Sequence, residues 1–352
     1  MHTEPGQPGN RKPKDRDFIE TPEGFLFCVV GYLHPPDKYT AYLKYSPARE
    51  GRWHRQGRAF QRELAFYHAH QVGQTLDYLQ EHYPEYVHYC PIRDVTFSMV
   101  PHERLQRYYV PEQRLAQIQS NPTDRLEEEL CRVVEAIQAN TGIPAQEMGV
   151  TGSILLGIHD PAFSDIDLNI LGRQNAGRLR SLMSAMALPD TSPMEEAYID
   201  EWCQGVVRHF GLSYPQARWL ISRRWNFVHY GTEQYTISLH PTRADSEIDE
   251  VYGDHIYRDA GDAYVHATIA DAQDAIFLPA IYRVEEVEIL EGPQVNVVEI
   301  CAYEGLFGQI GEAGERVAAR GKLERIDQGP EHRLVIGSSR RSGQEYLLPV
   351  GL

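Results

Sequence analysis

The sequence has no Cys-x-x-Cys pair, no apolar run long enough for a bilayer, and a shortage of positive charge. Its five cysteines, Cys28, Cys90, Cys131, Cys203 and Cys301, are odd in number and far apart. A structural zinc site is therefore not expected, and a reducing compartment is, which places the chain in the cytoplasm. The apolar run near the start, Phe25 to Leu33, is nine residues long, too short to cross a membrane. Its lead is rich in Pro and Gly, is mixed in charge, and carries Glu20 and Glu23 just before the run. That makes a poor signal peptide, so residues 1–15 read as a disordered leader and no membrane partner is expected. Lys and Arg number 34 against 50 Asp and Glu, a net charge of −16. Such a surface disfavours non-specific nucleic-acid binding.

The shortage is uneven. Asp245 to Glu299 holds fourteen acidic residues against Arg258 and Arg283, whereas Lys44 to Arg62 holds six basic residues against Glu50 alone. A local basic stripe can still hold a triphosphate or a phosphate backbone. The rest of the composition, 42% hydrophobic and 24% charged over 352 residues, is that of a globular protein with room for two or three domains.

Residues 16–120 read as an N-terminal α+β region. Strands are expected at Phe25–Leu33, Tyr39–Tyr45 and Val95–Val100, a helix over 58–82 with Phe60, Leu64, Tyr67, Leu76 and Leu79 at helical spacing, and a stretch broken by Pro101, Pro111 and Pro122. Residues 121–245 form the expected core. Thr123 is the expected cap of a helix whose apolar stripe is Leu126, Leu130, Val133, Val134 and Ile137, with Gly142 ending it. Helices follow around 176–188, through Phe210, and across Arg218, Trp219, Arg223 and Arg224. A hairpin pairs Asn226–Tyr230 with Tyr235–Leu239 around 231–234. Residues 246–352 are rich in short strands at Ile281–Leu290, Val295–Ala302, Arg333–Ile336 and Tyr346–Leu348. The fold class is α+β, with a central mixed sheet bearing helices on one side. The strand-rich N- and C-terminal segments are expected to pack together as a β-rich domain.

The chemistry concentrates in 149–171. Gly152-Ser153 is followed, across eleven residues that end in Ser164, by Asp165-Ile166-Asp167-Leu168. On a strand, i and i+2 share a face, so Asp165, Asp167 and Asn169 would point one way and Ile166, Leu168 and Ile170 the other. Two carboxylates this close repel unless a cation lies between them, and hard oxygen donors suit Mg²⁺ or Mn²⁺. The Gly-Ser turn offers N–H groups and a hydroxyl to phosphate oxygens.

This pattern resembles the signature of the DNA polymerase β-like nucleotidyltransferases over roughly the central third of the chain. The chain as a whole also looks like an uncharacterised group of predicted nucleotidyltransferases. The resemblance implies a nucleotidyltransferase core in which Gly152, Ser153 and Ser164 serve the nucleotide phosphates and Asp165 and Asp167 hold two divalent metals. It implies transfer of NMP from an NTP to a hydroxyl acceptor, such as an RNA 3′ end, a small molecule or a protein, with release of pyrophosphate. It also implies a third carboxylate on a later strand. The strand in that place, Tyr235–His240, carries Thr236, Ser238 and His240 on its polar face and no acid. His240 then has three readings: a Mn²⁺ ligand, a general base, or a strand-end histidine engaged in an ordinary hydrogen bond. Asp245 and Glu247 lie just beyond and are candidates to fold back.

Arg223 and Arg224 suit a triphosphate clamp or a helix C-terminus neutralised by cations. Arg49, Arg52, Arg55, Arg58 and Arg62 recur at three- and four-residue spacing with Trp53 and Phe60. On a helix they would make one basic face for single-stranded RNA or DNA, although Gly51 and Gly57 disfavour a helix, and a solvated charged face is the plainer reading. Residues 337–343 lack a P-loop ending and read as a hairpin loop, and the histidines, His68 and His70 included, show no metal-ligand spacing. The alternative to an enzyme is a catalytically inactive nucleotide- or RNA-binding module of the same fold, motivated by the missing acid. A glycosyltransferase also uses Asp-x-Asp but does not require the preceding Gly-Ser.

Overall fold

The computed structural model describes residues 11–63, 69–231, 235–338 and 343–352. Residues 1–10 of the expected leader, Leu64, Tyr67 and His68, the side chain of His70, the turn residues 232–234 and residues 339–342 of the terminal loop lie outside the described residues. The fold is α+β, with seven α-helices and several sheets among the described residues. The chain divides into two compact units: 1–63, 99–194 and 225–249 in the first, and 64–98, 195–224 and 250–352 in the second. No helix among the described residues is long and apolar enough to cross a membrane.

The first unit contains a five-stranded sheet in the order Thr191–Ser192, Phe227–Tyr230, Tyr235–Thr242, Ile166–Leu171, Met148–Val150. Ile166–Leu171 runs parallel to Tyr235–Thr242, and the other pairs are antiparallel. One face is apolar. Ile166, Leu168, Ile170, Ile237 and Leu239 are buried against helices Pro111–Ser120, Arg125–Thr141 and Arg173–Ser184. The helix Arg125–Thr141 forms where the apolar stripe predicts it, and Gly142 ends it at φ +69°. Its cap is Asp124 rather than Thr123. The Asp124 carboxylate accepts from the N–H groups of Leu126 and Glu127, while Thr123 donates its N–H and hydroxyl to the buried Glu127. The helix Pro111–Ser120 corrects the reading of Pro111 as a breaker. Pro111 sits in the first turn, where a missing N–H costs nothing.

A second sheet of this unit runs Trp53–Arg55, Arg58–Arg62, Lys38–Ala48, Leu26–Val29, Phe18–Glu20, Arg107–Tyr109, with every pair antiparallel. The arginine row is therefore a hairpin and not a helix. Arg55 pairs with Arg58 across Gln56 and Gly57, which take φ +50° and +79°. Successive positive φ values of this kind make a tight two-residue turn. The expected helix over 58–82 is likewise a strand to Arg62, with a helix at Ala69–His82. Phe18, Leu26, Cys28, Tyr45, Phe60 and Tyr109 pack on Leu155, Leu156 and Ile158 of the Gly-Ser segment. Val87–Cys90 falls in the second unit, whereas the strands from Phe18 to Arg62 belong with the central segment, and the expectation that both strand-rich ends build one domain is corrected for these. Their apolar faces match the short helix after Ser153.

The second unit holds a closed barrel. Tyr257–Asp271 pairs with Ala280–Glu291, which pairs with Asn296–Ala302, then Glu331–Ile336, then Arg316–Ile326, and this last strand returns to Tyr257–Asp271. Only Asn296–Ala302 and Glu331–Ile336 are parallel. This order and these directions are those of an OB-type Greek-key barrel. Val265, Ala267, Ile269, Tyr282, Ile300, Leu323 and Leu334 fill it. Cys203, Val206, Ala217 and Leu220 of helices Glu196–Phe210 and Tyr214–Ser222 join the same core. The strands Tyr257–Asp271 and Arg316–Ile326 escape a sequence reading because Arg258, Asp259, Asp262, Arg320 and Glu324 interrupt their apolar alternation.

Candidate functional site

Thr151 ends the short strand Met148–Val150, and its N–H donates to the Asp167 carbonyl at 2.9 Å. That bond sets the turn Gly152-Ser153 beside Asp167. Gly152 adopts φ +65°, and a Cβ added there would collide with Asp167 Oδ2. Glycine is required here twice over, by backbone conformation and by close approach. Ser153 is buried at the start of helix Gly152–Leu156, and Gly157 ends that helix at φ +63°. Ser164 is buried and holds the following loop, its N–H donating to Asp160 O at 2.9 Å and its Oγ accepting from Asp160 N at 3.0 Å.

Asp167 and Asn169 stand on the sheet face opposite Ile166, Leu168 and Ile170, with Asp165 in phase one residue before the strand. In the parallel neighbour Ser238 lies opposite Asp167, and His240 opposite Asn169. His240 Nε2 is 3.1 Å from Asp167 Oδ1. Of the positions considered for the third acid, His240 is the one beside Asp167. Asp245 is tied to Lys14. Glu247 accepts from Arg173 N at 2.8 Å and from Ala244 N at 3.1 Å, so neither folds back.

The electrostatics are asymmetric. Burial pushes Asp167 up, but the His240 hydrogen bond and the charges of Lys44 and Arg16 outweigh it and hold the carboxyl well below its ordinary range. Burial and the Arg16 charge push His240 down to about 4 despite its acidic partner, so the imidazole is neutral at pH 7. Asp165 is exposed as a residue. Desolvation of its carboxylate and repulsion from Asp167 nevertheless push it up to about 6, with Arg62 and Arg52 acting the other way. A cation placed between the carboxylates relieves that repulsion. Asn169 adds a second sign of fit: its Oδ1 is buried on the same face with no hydrogen-bond partner. The donor set of hard oxygens fits Mg²⁺ or Mn²⁺.

Arg16 was missed by the sequence reading, and Lys44 was counted in the basic stripe but not placed beside Asp167. Arg16 is fixed by its own backbone, with N–H to Val29 O at 3.0 Å and its carbonyl accepting from Thr151 Oγ1 at 2.7 Å. Lys44 is buried with its ammonium 5.3 Å from the Phe18 ring centroid. A lysine between Leu43 and Tyr45 on a buried strand was the available signal. Of the arginine row, Arg52 stacks on Phe163 at 3.8 Å from the ring centroid. Arg55 donates to Glu20 Oε1 at 2.7 Å, Tyr109 Oη at 2.6 Å and Leu156 O at 3.2 Å. Arg58 reaches Glu23 O at 3.3 Å. A single basic face is thereby corrected, since a strand sends alternate residues to opposite sides.

Arg223 and Arg224 belong to the second unit, where both are engaged. Arg223 pairs with Glu315 and lies 5.1 Å from the Trp219 ring, and Arg224 donates to Gly305 O at 2.8 Å. Both follow the last residue of Tyr214–Ser222, the position of helix-end cations. A separate group of metal-capable side chains, Asp124, Glu127 and His159, also occurs in the first unit. Its carboxylates are already occupied: Asp124 by the helix cap and His159, Glu127 by Arg114 and Thr123. It serves to tie the loop after Gly157 to the helix N-terminus.

The chain is similar to the uncharacterised protein MJ1086 of Methanocaldococcus jannaschii, at 28% identity over 353 aligned positions covering 96% of this chain and 98% of the other. No family model and no solved structure matches.

Proposed function

We propose that the chain is a metal-dependent nucleotidyltransferase that moves a nucleoside monophosphate from an NTP to a hydroxyl acceptor and releases pyrophosphate. The observation that carries this reading is one sheet face. Asp165 and Asp167 stand side by side there, with Gly152 held so close to Asp167 that no side chain fits. Asp165 and Asp167 would hold Mg²⁺ or Mn²⁺. When bound, the ion supplies charge neutralisation at the reacting phosphate and the leaving pyrophosphate. Gly152 and Ser153 orient the phosphates through the turn, while Arg16, Lys44 and Arg52 offset their charge. His240 takes the place of the third carboxylate. It is neutral at physiological pH, and a neutral imidazole is able to accept the proton of an attacking hydroxyl. The acidic surface favours a small molecule or protein acceptor over RNA, and the hairpin arginines favour the reverse.

A second reading is a binding module that holds an NTP or RNA without turnover. The His240–Asp167 hydrogen bond favours it, because it occupies a metal-ligand oxygen. Incubation with labelled NTPs, Mg²⁺ or Mn²⁺ and candidate acceptors separates the two. Label transfer and pyrophosphate release that vanish in both Asp165→Asn and Asp167→Asn support the enzyme. NTP binding with no pyrophosphate release supports the module, and neither activity would falsify both.

A further inference from the structure

We propose that the Asp165–Asp167 face takes one divalent cation rather than a pair, with His240, Arg16 and Lys44 standing where a second ion would balance charge. The inference rests on the metal-dependent reading above and specifies its stoichiometry. A two-ion site needs enough anionic oxygens to share, and here the supply is limited. Asp167 Oδ1 is engaged by His240 Nε2 at 3.1 Å, and Oδ2 faces Gly152. The neighbouring strand contributes Ser238 and His240 opposite Asp167 and Asn169, and no acid. Asp245 and Glu247, the next acids along the chain, are committed to Lys14 and to the N–H groups of Arg173 and Ala244.

The positive charge is already in place on the Asp167 side. Both Arg16 and Lys44 act electrostatically on Asp167 and on His240. Lys44 is nearly fully buried, and Arg16 has its main chain held by Thr151 and Val29 with its guanidinium 3.6 Å from Asp15, so both charges belong to the built structure on this side. A second divalent ion there would meet two like charges and a neutral imidazole. Asp165 is different. It forms no hydrogen bond or ion pair among the described residues, and its strongest charged neighbour is the Asp167 carboxylate. One ion shared between Asp165 and the outer part of Asp167 relieves that repulsion without approaching Arg16 and Lys44. Asn169, buried with an unpartnered oxygen, supplies a neutral donor where a third carboxylate would be needed to charge-balance a pair.

The test counts Mn²⁺ on the full chain by native mass spectrometry, with and without inorganic tripolyphosphate. One ion per chain is expected, and it should disappear in Asp165→Asn, an exposed position, with circular dichroism checking that the variant keeps its fold. His240→Asp, which restores an acid in the third place, is expected to raise the count to two. Two ions on the unaltered chain overturn the proposal and leave the metal-dependent reading standing. No ion in either condition overturns the metal-dependent reading itself. A single ion that survives Asp165→Asn, or a count that stays at one in His240→Asp, shows that these residues do not set the stoichiometry and overturns it.

Discussion

Gly152 and Asp167 exclude each other's bulk: the turn residue sits at φ +65°, and any Cβ on it would overlap the carboxylate Oδ2. Gly152→Ala therefore carries two penalties, a left-handed backbone for an L-residue and a displaced, partly buried carboxylate. We expect a stability loss of about 2–3 kcal/mol in urea unfolding and a clear weakening of Mn²⁺ and NTP binding. A loss under about 0.5 kcal/mol with unchanged binding would show that the turn tolerates a side chain.

His240→Ala removes the hydrogen bond to Asp167 and leaves a mostly buried carboxylate with one partner fewer; the side chains are 15% and 28% exposed. The expected cost is about 1–3 kcal/mol. His240→Gln keeps a donor near Asp167 and should recover part of it. Equal losses in the two variants would mean that packing, and not the hydrogen bond, is what His240 provides.

The two shifted groups respond to acid in opposite directions. His240 has a folded value near 4, below its ordinary 6.5. The unfolded chain takes up that proton first, so this contribution to stability is present above pH 6.5 and is lost as pH falls towards 4. Asp165 is raised to about 6 from 3.8. The folded chain takes up that proton first, so protonation of Asp165 offsets the loss between pH 6 and 3.8. Asp165→Asn removes the offset, and its stability should fall more steeply than that of the unaltered chain between pH 6.5 and 4.5. Parallel profiles in chemical denaturation would contradict this assignment. Mn²⁺ affinity of the unaltered chain should also rise with pH through about 6, as Asp165 ionises.

Within the arginine row, Arg55 and Arg58 should behave differently although they are direct partners across one hairpin. Arg55→Ala strips donors from Glu20, Tyr109 and the Leu156 carbonyl at the end of the Gly-Ser helix, an expected loss of about 2–3 kcal/mol. Arg58→Ala removes one exposed contact to Glu23 O and should stay within about 0.5 kcal/mol. Thermal or urea melts of the two variants check the contrast.

In the barrel, Arg333 donates twice to Glu324 at 2.8–2.9 Å while Lys322 holds the other Glu324 oxygen at 2.9 Å, with all three side chains less than one tenth exposed. Arg333→Met leaves Glu324 and Glu299 short of positive charge in a buried setting. The expected cost is about 3–5 kcal/mol. The double variant Arg333→Met/Glu324→Leu should restore much of it, and a double variant no better than the single one would argue against charge as the cause.

Much of the face that carries Asp165 and Asp167 could be read from residue order. The period-two alternation of Asp165 to Ile170 sets which side chains share a side, and the apolar stripe of 126–137 sets the helix beneath them. What escaped did so for identifiable reasons. The cap at Asp124 lost out to Thr123 because either residue type suits an N-cap and only the register of the first turn separates them. The arginine row has helical spacing, but Gly57 makes a tight turn available and the apolar partners at Ala59 and Phe60 are met by a strand. Arg16 and Lys44 reach Asp167 from residues more than a hundred positions earlier in the chain, a distance no local pattern encodes. The partner of Arg223, Glu315, lies 92 residues further along the chain.

The chain passes between its two units at Glu63, Ser98, Met194, Arg224 and Asp249. The first unit is thus assembled from three separate stretches, and Lys14 meets Asp245 across 231 residues. On a ribosome, the strand carrying His240 emerges long after the Gly-Ser turn and the paired aspartates. Until it does, Asp167 has no imidazole beside it and the sheet lacks its central parallel neighbour. This face is therefore not complete until about two thirds of the polypeptide, 240 of 352 residues, has been made, and a fragment cut at residue 121 would carry the aspartates without Arg16, Lys44 or the apolar bed under Leu155 and Leu156.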